Sequence, residues 1–264
     1  MKLISWNINS VRLRMPLIGE FIKEQNPDIL CLQELKTQDE FFPLQEFKDL
    51  GYDYVEFSGE KSYNGVAIIS KLSLKNVETI DIHDYGHKRH IKCDIETKAG
   101  SVEIHNFYIP AGGDIADVET NPKFDHKLKF VDYMNEFFTA KKEQNLIIAG
   151  DFNIAPLEND VWSHKQLLKV VSHTPIEVEK LTNLQQSAEL TDSHRLLIPE
   201  TEKLYSWWSY RGKEPFKSNR GRRLDHIWTS KSLKSNISDV ATYSDYRIKE
   251  KPSDHVPIAT MFDL

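Results

Sequence analysis

The sequence predicts an α/β fold in which two packed β-sheets carry helices on their outer faces. Three observations lead there. Short runs rich in β-branched and aromatic residues recur along the chain and are closed by Gly, Pro and Asn turns. Two or three segments with a helical period lie among these strands. Leu146-Ile147-Ile148-Ala149 is an unbroken apolar run, as expected of a strand covered on both faces.

Each element has its own local reason. Lys2 to Ile8 reads as a strand through Leu3, Ile4, Trp6 and Ile8. From Arg14 to Gln25 the apolar residues Leu17, Ile18, Phe21 and Ile22 fall at helical spacing, and Asn26-Pro27 stops the helix. Asp28 to Leu35 is a second strand, so the chain opens with a strand–helix–strand crossover. Shorter strands are predicted over Tyr52 to Phe57, Val66 to Ser70, Val77 to Ile82, Ile91 to Thr97 and Ser101 to Ile109. Tight turns such as Lys98-Ala99-Gly100 make them antiparallel neighbours. Pro110 then forces a loop. Lys127 to Lys142 carries the clearest helical stripe: Leu128, Val131, Met134, Phe137 and Phe138 face the core, and Lys127, Lys129, Asp132, Lys141 and Lys142 decorate the rest. After the run at 146–149 comes a polar stretch, Ala155 to Pro199, with a short helix expected around Leu184 to Arg195. Strands return at Leu204 to Tyr210, Leu224 to Thr229, Ile237 to Tyr243 and Val256 to Phe262.

Composition narrows the function. With 264 residues, no Pro/Ser/Gly-rich linker and no repeat, residues 1–264 read as a single domain. A net charge of −6 argues against a uniformly basic nucleic-acid binder but leaves room for a local basic face. Cys31 and Cys93 sit in apolar runs and read as buried thiols, so a reducing, cytoplasmic compartment is expected. Met1 to Arg14 lacks a signal-like apolar core, and no window resembles a membrane span.

The chemistry collects at strand ends: Asn7, Glu34, Asp151 with Asn153, Asp225, and Asp254 with His255. Asp151 and Asn153 fall on one side if the chain stays extended. Taken singly, each has a plain structural reading as a cap, a turn residue or a satisfied histidine. Jointly, five strand ends ending in acids, amides and one histidine need a common cause. Carboxylates and amides without clustered Cys or His favour a hard cation, Mg²⁺ or Mn²⁺. That suits phosphoryl chemistry, with an acid beside His255 favouring its charged form.

Trp6-Asn7-Ile8-Asn9, Leu32-Gln33-Glu34, Gly150-Asp151-Phe152-Asn153, Arg223-Leu224-Asp225 and Ser253-Asp254-His255 occur in this order. The ordered set resembles the endonuclease/exonuclease/phosphatase superfamily over nearly the whole chain. Ser206-Trp207-Trp208-Ser209-Tyr210 and Arg220-Gly221-Arg222-Arg223-Leu224-Asp225 are similar to its exonuclease III branch of abasic-site endonucleases. The resemblance implies a four-layer α/β sandwich, two mixed or antiparallel sheets flanked by helices. It implies Glu34 as the main metal ligand, Asn7 beside it and Asp254 near a second metal position. Asp151 would orient or deprotonate the attacking water, helped by Asn153. His255, paired with Asp225, would contact the scissile phosphate, as would Tyr108. Trp207 and Leu224 would wall a pocket for the extruded sugar, and Trp208 is read as core. Arg222 stands where some relatives carry an aromatic wall, and Ala111 where some carry an Asn.

The implied reaction is hydrolysis of the phosphodiester 5′ to an abasic site, with 3′-end trimming and 3′→5′ exonuclease action on duplex DNA. The implied partner is double-stranded DNA with abasic or 3′-blocked lesions, reached in the cytoplasm or nucleoid. No membrane and no obligate protein partner are expected, and a monomer is the default. Local basic clusters at Arg211, Lys213, Lys217, Arg220, Arg222 and Arg223, at His87, Lys88, Arg89, His90 and Lys92, and at Arg12 and Lys36 suggest phosphate-backbone contacts. The competing reading keeps the fold and changes the substrate to a phosphoinositide, a sphingomyelin or RNA. A third is a catalytically dead binding module, against which intact Glu34, Asp151, Asn153 and His255 stand.

Overall fold

Strand alternation decides which side chain meets which layer in this protein. The computed structural model describes residues 1–211 and 214–264. One six-stranded sheet contains β1 (Lys2–Asn7), β2 (Ile29–Gln33), β3 (Tyr54–Ser58), β4 (Val66–Ser70), β11 (Ile237–Thr242) and β12 (Ile258–Phe262). Its order is β11-β12-β1-β2-β4-β3. The second six-stranded sheet contains β5 (Lys75–Glu78), β6 (His90–Thr97), β7 (Gly100–Tyr108), β8 (Leu146–Asp151), β9 (Leu190–Asp192) and β10 (Asp225–Ser230). Its order is β5-β6-β7-β8-β10-β9. Each sheet is mixed, with one parallel pair, β1 on β2 and β7 on β8, among antiparallel neighbours.

Three apolar cores make the four layers. Leu3, Ile29, Cys31, Ile68, Ile104, Ile147, Ala149, Ile227 and Ile258 interdigitate between the sheets. On the other face of the first sheet, Ile4, Trp6, Leu30 and Leu32 pack on Ile18, Phe21 and Ile22 of α1 (Val11–Gln25) and on Phe47 of α2 (Leu44–Asp49). On the outer face of the second, Phe107, Ile148 and Trp228 pack on α3 (Pro122–Thr139) and, past the short α4 (His164–Leu167), on α5 (Pro175–Ser187). Cys31 and Cys93 are free thiols in the inter-sheet core, and burial raises the pKa of both, that of Cys93 to about 12.

The departures from sequence expectation have local causes. The third helix starts at Pro122, earlier than expected, because Asn121 accepts the Lys123 N–H and Pro122 takes the first helical position. A helix spans Pro175–Ser187 rather than Leu184 to Arg195. Thr174 and Glu177 form a capping box there, and the chain breaks at Glu189 (φ 52°) to place β9 on the sheet edge before α6 (Ser193–Leu197). Leu204 to Tyr210 is not a strand. Trp207 makes single bridges to Arg222 and His255, so this segment ties the two sheets together at one end. Lys127 is not solvated on the face of its helix but wholly buried.

Candidate active site

The inner faces of the two sheets bring the polar strand ends together. On β1 and β2, Leu3 and Ile29 point between the sheets, so Asn7 and Gln33 do too, and Glu34 follows at the strand end. On β8, Ile147 and Ala149 face inward, and so does Asp151. Register completes the row. Asp151 lies beside Tyr108 of β7 and opposite Asp225 of β10. Gly150 precedes Asp151 because β7 presses on it: a Cβ there would meet the Phe107 carbonyl oxygen at 2.0 Å.

Between the sheets, Asn7 Nδ2 donates to Glu34 Oε2 and to Asp151 Oδ2, both at 2.9 Å. Its oxygen accepts the Asn9 N–H. Asn7 therefore lies beside Glu34 as expected, its amide nitrogen bridging two carboxylates and its oxygen facing the Asn9 N–H. Asp151 and Asn153 do share one side, through a turn and not by continued extension. Asn153 sits at φ 54°, with its N–H on Asp151 Oδ1 and Nδ2 on Asp151 Oδ2. Asn9, Ser10, Glu34 and Lys36 also occupy positive φ, between 47° and 88°. Such backbone is costly outside glycine, and here it clusters at one end of the molecule.

His255 Nδ1 donates to Asp225 Oδ2 at 2.8 Å, and Ser206 Oγ donates to the same oxygen at 2.6 Å. Nε2 lies 3.7 Å from Asp151 Oδ2, too long for a direct hydrogen bond, which leaves that N–H for another acceptor. Burial works against the charged imidazole, but Asp225, Asp151 and Asp254 outweigh it and raise its pKa, which favours the charged form. Burial, helped by Asp225, raises Asp151 above the usual carboxylate range, against the pull of His255 and Asn7. Burial raises the Tyr108 phenol, with Glu34 and Asp151 adding to it, so it keeps its proton and can donate.

The donor chemistry fits a hard cation. Among the described residues, Asp151, Asp225 and His255 gather within 4.8 Å of one another. Asp225 Oδ1 is buried without a partner and the carboxylate oxygens could serve a cation, whereas His255, with both ring nitrogens acting as donors, offers it no lone pair. Glu34 carries Lys36 Nζ at 2.7 Å, showing that its carboxylate draws a positive charge. Asp254 is not in that compact set. It accepts from Asn9 Nδ2 at 3.0 Å and Trp207 Nε1 at 2.9 Å, and Lys36 donates to the same Asn9.

Trp207, half-buried, packs against Ala155, Val161, Leu167 and Leu224. The Arg222 guanidinium lies over its ring at 5.3 Å and donates to Val171 O and Ser172 Oγ. Trp208 is core, packed on Tyr205 and Val256.

Residues 4–255 match the Endonuclease/Exonuclease/phosphatase family. The chain belongs to that family. It is 36% identical to exodeoxyribonuclease III of Haemophilus influenzae over 99% of this chain and 100% of that one. An AP endonuclease from Archaeoglobus fulgidus superposes with a TM-score of 0.92 at 30% identity, covering 100% of both chains. The 3′ phosphatase NExo from Neisseria, bound to product DNA hairpin, superposes with a TM-score of 0.91 at 31% identity, again over 100% of both. The two packed, helix-flanked sheets are therefore the family's fold, as expected from the sequence.

Several expected family contacts lie elsewhere. Arg223 is buried between Asp160 and Asp192, not on a basic face. Lys92 is paired with Glu103 and Glu78, and His90 with His105, so neither reaches a backbone phosphate. Arg89 stacks over the rings of Tyr108 and Tyr63. Arg12, Arg211, Lys217 and Arg220 remain exposed, and Lys213 lies outside the described residues. Sequence reasoning passed over Ser206 although it adjoins Trp207. It passed over Ser253 too, whose hydroxyl holds Asn7 O at 2.7 Å. A hydroxyl beside a motif residue was the available signal in both.

Proposed function

We propose that the protein is a metal-dependent DNA repair nuclease that hydrolyses the phosphodiester 5′ to abasic sites and trims or digests duplex DNA from its 3′ end. The observation that carries this reading is His255 held between Asp225 and Asp151 where the polar ends of both sheets meet. The relatives, by name an exodeoxyribonuclease, an AP endonuclease and a 3′ phosphatase, support DNA as the substrate.

In this reading Asp151, made more basic by burial, takes a proton from a water that Asn153 helps to place. The water oxygen bonds to phosphorus, the bond to the 3′ oxygen breaks opposite it, and that oxygen takes a proton from solvent to leave as a hydroxyl, while Asp151 later gives its proton back to solvent. The His255 Nε2–H and the Tyr108 phenol donate to the phosphate oxygens as their charge grows. A hard divalent cation at Glu34, Mg²⁺ or Mn²⁺, would supply further positive charge to the phosphate when bound. Trp207 and Leu224, with Arg222, would receive the extruded sugar, since a baseless sugar costs least to flip. Exposed Arg12 and the loop arginines would follow the DNA backbone. Lys36, bonded to Glu34 and Asn9, would stand beside the phosphate at the cation's position. The chain would act as one domain, as a monomer and in the cytoplasm, and no helix among the described residues is long and apolar enough to cross a membrane.

The test is a labelled duplex with one abasic-site analogue beside an intact control, each incubated with Mg²⁺ and with chelator. A metal-dependent single cut at the lesion supports the reading. Glu34→Gln and Asp151→Asn each lose that cut by hundreds-fold or more. Full cleavage by either variant rejects the site, and no cleavage by the unaltered protein sends the search to phosphoinositide and RNA substrates.

A further inference from the structure

Lys127 and Glu177 form an ion pair with both side chains wholly buried, Nζ to Oε1 2.5 Å, and the reaction above does not use it. A buried pair of this kind adds little net stability over apolar residues of similar size, so it calls for another reason. Its partners supply one. Lys127 Nζ donates to Asn153 O at 2.7 Å and to Ala111 O at 3.3 Å. Glu177 accepts from Ser172 N, Thr174 N and Thr174 Oγ1. Ser172 Oγ in turn accepts from Arg222. Gly112 lets the loop after β7 close on the Lys127 stem, since a Cβ there would meet Lys127 Cδ at 2.9 Å.

We propose that Lys127 and Glu177 are positioning residues that lock the turn at Asn153, and through Ser172 the Arg222 side chain, into one rigid unit. Lys127 clamps the carbonyl of a residue held at positive φ, whose amide and N–H fix both oxygens of Asp151. Asn153 Nδ2 also donates to Ile109 O at 3.0 Å, and the ammonium adds the tie from that turn to α3 and to Ala111 O. The catalytic part of this inference rests on the nuclease reading; the structural part does not.

The experiment compares Lys127→Met, Glu177→Gln and the double variant. Each single change leaves one buried charge unpaired, and both are expected to unfold more easily. The double variant removes both charges and should recover most of the thermal stability. It should still cleave the abasic duplex about ten- to a hundredfold more slowly in kcat, with KM changed less than about threefold. In an Asn153→Ala background, adding Lys127→Met should cost little more, because the amide it places is gone. Amide exchange should speed up at residues 151–155 and 110–113 in the double variant and remain slow in the sheets. A double variant that regains kcat with stability, or additive losses with Asn153→Ala, overturns the positioning role. Unchanged exchange at 151–155 overturns it whatever the substrate. If the unaltered protein does not cut abasic DNA but exchange still responds, the nuclease reading alone fails.

Discussion

Asp225 reaches His255 by register: it stands opposite Asp151 across β8 and β10, and its Oδ2 takes the His255 Nδ1–H at 2.8 Å while Nε2 turns toward Asp151. One imidazole is thus oriented by one carboxylate and faces the other. Asp225→Asn keeps the shape and removes the charge. His255 then loses a principal source of its raised pKa, so its proton comes off at lower pH. We expect kcat to fall on the order of a hundredfold and the alkaline limb of the rate profile to move to lower pH. A profile of the same shape and position would remove Asp225 from the assignment.

Arg222 covers Trp207 and is tied to Val171 and Ser172, so in the proposed reading it stands fixed beside the extruded sugar. Arg222→Ala should raise KM for the abasic duplex several-fold and lower the ratio of lesion cutting to 3′ digestion of intact duplex. Cutting of both duplexes measured side by side decides it, and an unchanged ratio means the guanidinium does not shape selectivity.

Two arginines near the site should behave oppositely. Arg223 joins Asp160 and Asp192 in a closed network, and burial against these acids holds it. Arg223→Met should destabilise the fold by about 3–5 kcal/mol and leave the salt dependence of DNA binding unchanged. Arg12→Ala should leave stability nearly unchanged and reduce the log–log salt slope by about one. Urea melts and binding at several salt concentrations separate the two.

The buried histidines predict acid sensitivity. Ile80 N–H donates to His90 Nδ1, so His90 Nε2–H donates to His105 Nδ1, and His105 Nε2–H donates to Glu103. Each ring is thereby held neutral, and burial lowers the pKa of both; burial likewise lowers that of His194, to about 4. The unfolded chain takes up these protons near pH 6.5, the folded one only at lower pH. Their contribution is full above about pH 6.5 and is lost as pH falls toward 4, with His194 alone accounting for on the order of 3 kcal/mol. Asp151, whose raised pKa works the other way over the same range, is removed by Asp151→Asn; in that variant denaturant midpoints at pH 7.5, 6 and 5 should fall in that order, and a flat series rejects it.

Local sequence determined the strands, their polar ends and the order of the motifs. Alternation along β1 and β8, and the register of β10 on β8, carry Asn7, Asp151 and Asp225 to the inner faces once the strands are paired. The layered fold followed because unbroken apolar runs need cover on both sides. Only tertiary structure decided what each charge faces. Lys127 looked solvated by helical period, yet Glu177 and two carbonyls enclose it. Arg223 and Lys92 looked like phosphate contacts, yet Asp160 and Asp192 hold the first and Glu103 the second. Asn7 reads from the sequence only as a polar strand end, and the packed sheets alone show its amide donating to both carboxylates. The physical reason is the same in each case. Apolar period reads a residue's own face, whereas the cost of burying a charge is set by partners distant in sequence, which only the packed sheets supply.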